Sequence, residues 1–224
     1  MNYQKILTEI NRKKLSIEGI QAYDQGKESI KEHINIQNGV CRALVIEWLK
    51  AKKDDSDFWK GKGTVSEPLL QEVNRLKDAV DLQTEYENAS GSRFVPDTAT
   101  KDTLEKSGVT YKQGNVTASA QQGFAVESLG NELKKIADKV LDSDSRFFIL
   151  SIQGNSGAHS LGIYRPYASI GKSKDAYLFD PNIGEFKSNG KQNLCSLLKM
   201  VNSEGYANSG MDLNKSYILW SFSG

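Results

Sequence analysis

The sequence predicts an α+β fold in which helices come first and a run of antiparallel strands follows. Up to residue 144, apolar residues recur at helical spacing, as in VESLGNELKKIADKVL. After Asp144 the apolar runs become short and are separated by turn residues: FFILSIQG, HSLGIYR, AYLFD, EFKS and YILWSF. Short turns between consecutive strands favour antiparallel pairing, so we expect a central antiparallel sheet packed against helices.

The polar and charged residues 1–34 carry a short helical stripe, formed by Ile6, Leu7 and Ile10. We interpret this segment as an N-terminal helical arm or subdomain, and residues 35–224 as the main domain of a single globular unit. Residues 68–89 predict a surface helix. Residues 87–124 are rich in Gly, Ser, Thr and Asn and predict long loops around a short helix near 103–106.

Composition gives no indication of several classes of partner. Lys and Arg number 29 against 28 Asp and Glu, giving a net charge of +1, so nothing indicates a nucleic-acid partner. No apolar run reaches membrane-spanning length, and the start, MNYQKILTEINRKK, lacks the apolar core of a secretory signal. We therefore expect a monomer without a cofactor or an integral membrane segment, and, if it is exported, export without a cleaved signal peptide.

His159 and Asp180 lie on two predicted strands that are neighbours in sequence. If 159–165 and 176–180 pair antiparallel, the midpoint of His159 and Asp180 falls in the connecting loop, and the two residues lie near opposite each other. Pro181 favours an extended backbone at Asp180. We predict that the carboxylate accepts a hydrogen bond from His159 Nδ1 and leaves Nε2 free for a thiol.

Cys41 begins a helix, VCRALVIEWLKAKK, that is apolar almost all round and is therefore expected to be buried. In the first turn, unpaired N–H groups and the helix dipole favour an anion, which lowers the pKa of a thiol. The backbone N–H of Cys41 could hold an oxyanion together with an amide side chain. The candidates for that amide are Asn35, Gln37 and Asn38.

The remaining cysteine and histidine have structural interpretations. Cys195 lies beside the helical stripe Leu194, Leu197, Leu198 and Val201 and is expected in the core. His33 lies in a polar stretch, KEHIN, and is expected at the surface. No pair among these residues has the close spacing of zinc ligands, so we expect no metal site. The predicted catalytic group is therefore Cys41, His159 and Asp180.

Three short blocks carry a family resemblance: GVCRAL, AHSLGIYR and FDPNIGEF. They resemble the YopT/AvrPphB family of papain-like cysteine proteases, which are bacterial effectors injected into host cells. The resemblance implies a papain-like fold with the cysteine at the N-terminus of a buried helix. It implies Cys41 as nucleophile, His159 as general base and acid, and Asp180 as the residue that orients His159. It also implies secretion, action in the host cytoplasm, and a host protein as substrate, such as a prenylated Rho-type GTPase or a kinase.

Two alternatives to a protease remain open. A papain-fold glutamine deamidase or transglutaminase uses the same three residues and the same acyl-thioester, with the side-chain amide of Gln as donor. The difference lies in the shape of the substrate groove, which the sequence does not define. A binding module that keeps the fold without catalysis is the second alternative. An ordinary thiol at Cys41 would favour it.

Overall fold

The computed structural model describes residues 2–25, 40–59, 98–119, 126–153, 158–206 and 216–224. The helices in these ranges are α1 (Asn2–Lys13), α2 (Cys41–Lys53), α3 (Thr98–Glu105), α4 (Val126–Asp142) and α5 (Lys191–Met200), which a π-helical turn, Val201–Gly205, continues. The strands are β1 (Ile17–Ala22), β2 (Thr110–Ser119), β3 (Phe147–Gln153), β4 (Ala158–Tyr164), β5 (Asp175–Asp180), β6 (Gly184–Asn189) and β7 (Ser216–Ser223). None of the helices in the described ranges could cross a membrane, given their length and polarity.

The strands form one sheet in the order β1-β6-β5-β4-β3-β7-β2, and every neighbouring pair is antiparallel. Strands β3 to β6 follow one another in the chain and in space, as short turns between consecutive strands require. The predicted α+β fold with a central antiparallel sheet is therefore confirmed.

Both edges of the sheet come from segments without a clear strand pattern in the sequence. Residues 110–119, predicted as loop, form β2 and pair with β7. Within the predicted helical arm, α1 is followed by β1, which pairs with β6. Both strands are polar, and each shows a register shift, so pairing with a neighbour rather than apolar alternation fixes them. The arm boundary at residue 34 and the helix predicted for 68–89 lie outside the described residues.

Helices cover the sheet on both faces. Alternation along β3 sends Phe148, Leu150 and Ile152 to the face covered by α1, α4 and α5, and Phe147 and Ile149 to the face covered by α2 and α3. Because both faces are buried, the strand reads as a continuous apolar run. The sheet thus lies between two apolar layers.

Helix α2 lies against β4 and carries the sequence's most apolar helical pattern. Eight of its residues are buried: Cys41, Ala43, Leu44, Val45, Ile46, Trp48, Leu49 and Ala51. Gly162 of β4 permits the close approach, because a Cβ there would lie 2.8 Å from Trp48 Cε3 and 3.2 Å from Val45 Cγ1. This contact sets the position of the helix, and hence of its first residue, Cys41, relative to β4.

Candidate active site

Cys41 is the first residue of α2 and is buried. Val40 precedes it at the N-cap, and its backbone N–H donates to Gln25 Oε1 at 3.0 Å. The first N–H groups of an α-helix have no partner within the helix, so the thiol lies where partial positive charge accumulates. The structure confirms that this helix is buried and that Cys41 lies at its start.

His159 on β4 and Asp180 at the end of β5 are joined by a hydrogen bond of 3.0 Å between Nε2 and Oδ1. Both side chains are almost completely shielded from solvent, at 2% and 0% exposure. The thiol of Cys41 lies close enough to His159 for each group to shift the pKa of the other, so the three predicted residues meet at one end of the sheet. Their catalytic roles remain a prediction.

Two details of the predicted geometry are wrong. The strand register pairs Gly162 with Phe179, which places Leu161 rather than His159 opposite Asp180. A shift of two residues keeps the side chains on the same face but makes them diagonal neighbours, which are farther apart. The imidazole therefore reaches the carboxylate with its distal nitrogen Nε2, not Nδ1. Nδ1 is the nitrogen left for the thiol.

The carboxylate of Asp180 is held by three donors. Oδ1 accepts from His159 Nε2 and, at 2.9 Å, from the backbone N–H of Asn182. Oδ2 accepts from the hydroxyl of Tyr206, a buried residue at the end of the π-helical turn. An Asp that accepts from the N–H two residues later closes an Asx turn, which suits the Asp-Pro-Asn sequence at this position. Asp180 is thus fixed in place.

The electrostatics of the site favour a thiolate–imidazolium pair. Burial acts to raise the pKa of Cys41, but the imidazolium of His159, through charge and a hydrogen bond, outweighs it and lowers the pKa below its usual 9.0. The Ser160 backbone N–H donates to the sulfur and lowers it further. Burial acts to lower the pKa of His159, but the negative charges of Asp180 and Cys41 raise it from 6.5 to about 10.

Three neighbours of the predicted triad were absent from the sequence-based site: Gln25, Asn182 and Tyr206. Asn182 was open to prediction, because it lies in the Asp-Pro-Asn turn directly after Asp180. Tyr206 is 26 residues beyond Asp180, and Gln25 is 16 residues before Cys41, in the arm. No spacing rule connects these two to the site, because tertiary packing alone brings them there.

The other candidate residues divide into two groups. The oxyanion candidates Asn35, Gln37 and Asn38, together with His33, lie outside the described residues. Cys195 is half-buried on α5 and packs against the apolar layer there, as the helical stripe predicts. In the part of the chain that the structure describes, no group of three His, Cys, Asp or Glu side chains could hold a metal ion.

The fold defines a papain-like α+β domain. It resembles the crystal structure of the Pseudomonas avirulence protein AvrPphB, with a TM-score of 0.55 and 18% sequence identity over 92% of this chain and 97% of that one. At that identity the likeness concerns the fold.

The chain belongs to the peptidase C58 family, described as Yersinia/Haemophilus virulence surface antigen, whose model matches residues 12–213. The predicted membership of the YopT/AvrPphB family is confirmed. A relative, "Protein adenylyltransferase and cysteine protease IbpA" of Histophilus somni, is 25% identical over 183 residues, which is 76% of this chain. The chain spans 4% of the length of that relative. It is thus a cysteine protease-like domain of the effector or toxin type.

Proposed function

We propose that this protein is a papain-like cysteine endopeptidase that cleaves a host protein through a triad of Cys41, His159 and Asp180. The observation that carries the proposal is the buried series of thiol, imidazole and carboxylate at the N-terminus of α2, in which the imidazole hydrogen-bonds the carboxylate and, against the effect of burial, lowers the pKa of the thiol. Membership of a peptidase family supports the same reaction class. A purely structural trio would not need a charged thiol.

The proposed reaction proceeds in two steps. The thiolate of Cys41 attacks the peptide carbonyl carbon, and the resulting tetrahedral oxyanion collapses as the imidazolium of His159 gives its proton to the leaving amine. This leaves an acyl-thioester on Cys41 and a neutral imidazole. The imidazole then takes a proton from water, the hydroxide attacks the thioester carbonyl, and the carboxylic acid product leaves as the thiolate re-forms. Asp180 keeps the ring oriented throughout.

We propose that backbone donors at the N-terminus of α2 hold the oxyanion, since the helix dipole favours negative charge there. We propose that the N–H of Cys41 is one of them and that an amide side chain from Asn35, Gln37 or Asn38 supplies another. Single Asn→Ala or Gln→Ala changes at these three positions would identify it. Loss of one oxyanion donor costs about a hundredfold in kcat.

The biological setting is proposed from the family resemblance. The substrate would be a host protein, either a prenylated Rho-type GTPase or a kinase, and the site of action the host cytoplasm, reached by secretion without a cleaved signal peptide. We further propose that residues 1–34 and 35–224 form one globular monomer. The pairing of β1 with β6 supports this, since it makes the arm an edge of the sheet.

The chain's two cysteines provide a matched experiment. Host-cell lysate is incubated with the wild type, Cys41→Ala and Cys195→Ala, and new protein N-termini are sequenced. We expect the same new termini from the wild type and Cys195→Ala, and none from Cys41→Ala. Cleavage by Cys41→Ala, or no cleavage by the wild type, would contradict the proposal.

Intact-mass measurement of the affected host protein separates proteolysis from the related amide chemistries. Two fragments indicate an endopeptidase. An increase of about one dalton without cleavage indicates deamidation, and addition of an amine indicates transglutamination. Either of the last two results keeps the same three residues but replaces the proposed reaction.

A further inference from the structure

We infer that Gln25, Asn182 and Tyr206 form a hydrogen-bonded brace that holds the start of α2 against the turn after β5 and so positions Cys41 relative to Asp180. This inference rests on the proposed function and deepens it by assigning positioning residues to the same site. None of the three would touch the substrate. Each acts through a residue of the proposed triad or its backbone neighbour.

The first end of the brace is Gln25, which is 6% exposed. Its side chain faces two ways: Oε1 accepts from the backbone N–H of Val40 at 3.0 Å, and Nε2 donates to Asn182 Oδ1 at 2.7 Å. Its backbone N–H donates to Pro181 O at 2.8 Å, which anchors the residue on the β5–β6 turn. Gln25 therefore connects the residue before Cys41 to the turn after Asp180.

The second end of the brace is Tyr206, which is 4% exposed. Its hydroxyl donates to Asp180 Oδ2. The rings of Tyr206 and His159 also lie 5.4 Å apart between centroids. Asn182 contributes a second contact, because its backbone N–H donates to Asp180 Oδ1. Asp180 and Gln25 therefore both hydrogen-bond Asn182, the first through its backbone N–H and the second through its side chain.

Together these bonds form a ring that runs from Val40 through Gln25, Asn182, Asp180 and His159 to Cys41, which lies beside His159 and follows Val40 in the chain. Tyr206 joins this ring at Asp180. The ring joins a helix on one face of the sheet to groups from the opposite apolar layer. Buried polar groups are costly unless each has a partner, so such a ring has one favourable arrangement. Misplacement of a catalytic group by about 1 Å can lower the reaction rate about a hundredfold, so loss of the brace is expected to slow the reaction.

The test uses iodoacetamide, which alkylates the thiolate and needs no knowledge of the substrate. Alkylation rates of Cys41 are measured across pH for the wild type, Tyr206→Phe and Tyr217→Phe. Tyr217 is the matched control, because it is also buried and donates to a carboxylate, Glu132, at 2.8 Å. We expect Tyr206→Phe to slow alkylation below about pH 7 by about tenfold, since a looser His159 stabilises the thiolate less. Tyr217→Phe should leave the rate unchanged.

A second pair of variants distinguishes loss of the brace from a general loss of stability. Gln25→Met keeps the size of the side chain but removes its hydrogen bonds, and Gln21→Met is its control on β1. We expect Gln25→Met to shift the alkylation profile towards that of an ordinary thiol and Gln21→Met to leave it in place. In an Asp180→Ala background, Tyr206→Phe should have no further effect, because Tyr206 acts through Asp180.

The outcomes separate the brace from the proposed function. A reactive wild-type Cys41 that Tyr206→Phe and Gln25→Met leave unchanged overturns the brace alone. Equal effects of the brace variants and their controls do the same, because they would reflect stability rather than position. A wild-type Cys41 with an ordinary pH profile contradicts the proposed function, and overturns the brace with it, since no reactive pair would remain to be positioned.

Discussion

The two cysteines lie on helices that pack against opposite faces of the same sheet, and their surroundings differ. Cys41 is the first residue of α2 and is buried, and the charge of the neighbouring His159 outweighs burial and lowers the pKa of the thiol. Cys195 is in the middle of α5, half-buried, and burial raises the pKa of its thiol. Burial acts in the same direction at both sites. We therefore expect a charged neighbour at a helix start, rather than burial, to decide which thiol is reactive.

The largest effect is expected from removing His159, the charged neighbour of Cys41. In His159→Ala, Cys41 keeps its position on α2 but loses the imidazolium, and its pKa should rise above the ordinary value, as at Cys195. We expect proteolysis to fall by about a thousandfold or more, because general acid–base catalysis is lost with the charge. The measurement is the rate of new N-terminus formation beside the alkylation of both cysteines. A Cys41 that remains reactive in this variant would refute the account.

Moving α2 without touching the site is the next test. A methyl group at Gly162 would clash with Trp48 and Val45, so Gly162→Ala should destabilise the protein by about 1–3 kcal/mol and displace the helix that carries Cys41. Gly190, before α5, is the control: it has φ of 84°, ψ of 160° and open space around its Cβ position, so Gly190→Ala should cost about 1–3 kcal/mol through backbone strain.

Urea unfolding and alkylation kinetics are measured on both glycine variants. Both should be less stable than the wild type, but only Gly162→Ala should slow the alkylation of Cys41. If both variants slow it equally, general destabilisation rather than the position of α2 controls the thiol.

The pH dependence of stability gives a smaller effect with a defined sign. With Cys41 a thiolate in the folded protein, as proposed, the unfolded wild type holds one proton between pH 6.5 and 9.0, on the thiol, and the folded protein also holds one, on His159, so this pair adds no slope. Above pH 9.0 the unfolded thiol ionises while His159 stays protonated to about pH 10 in the folded protein. The free energy of unfolding should therefore fall over that interval.

Cys41→Ala changes where this fall begins. Without the thiolate, the folded protein still holds a proton on His159 beside Asp180, whereas the unfolded imidazole loses its proton at pH 6.5, so the free energy of unfolding should decline from pH 6.5 upwards. Urea titrations at several pH values compare the two proteins. Identical slopes between pH 6.5 and 9.0 would show that Cys41 is not a thiolate in the folded protein.

The sequence predicts the parts of the site that depend on local pattern. The apolar stretch after Cys41 indicates a buried helix, and the alternation in HSLGIYR and AYLFD indicates strands that place His159 and Asp180 on one face. The strand register is harder to predict from the sequence. Counting residues across the β4–β5 loop places His159 near Asp180 but misses the two-residue offset, because the loop does not contribute equally to the two strands. The same error in register leads to the prediction that Nδ1 of His159 bonds Asp180, whereas the structure has Nε2 in that position.

Other parts of the fold have no local signal. The sequences of β1 and β2, IEGIQA and TYKQGNVTAS, carry too few apolar residues to show alternation, so their strand conformation comes from pairing with β6 and β7. Tyr206 and Gln25 reach Asp180 and Val40 through tertiary packing across 26 and 15 residues of sequence. A single sequence contains no rule that connects residues so placed.

The most direct test of the central claim is the alkylation of both cysteines in one sample, followed by mass spectrometry of the two peptides across pH. We expect Cys41 to react with iodoacetamide at a pH well below that at which Cys195 begins to react, and this difference to disappear in His159→Ala. Parallel pH profiles for Cys41 and Cys195 in the wild-type protein would contradict it.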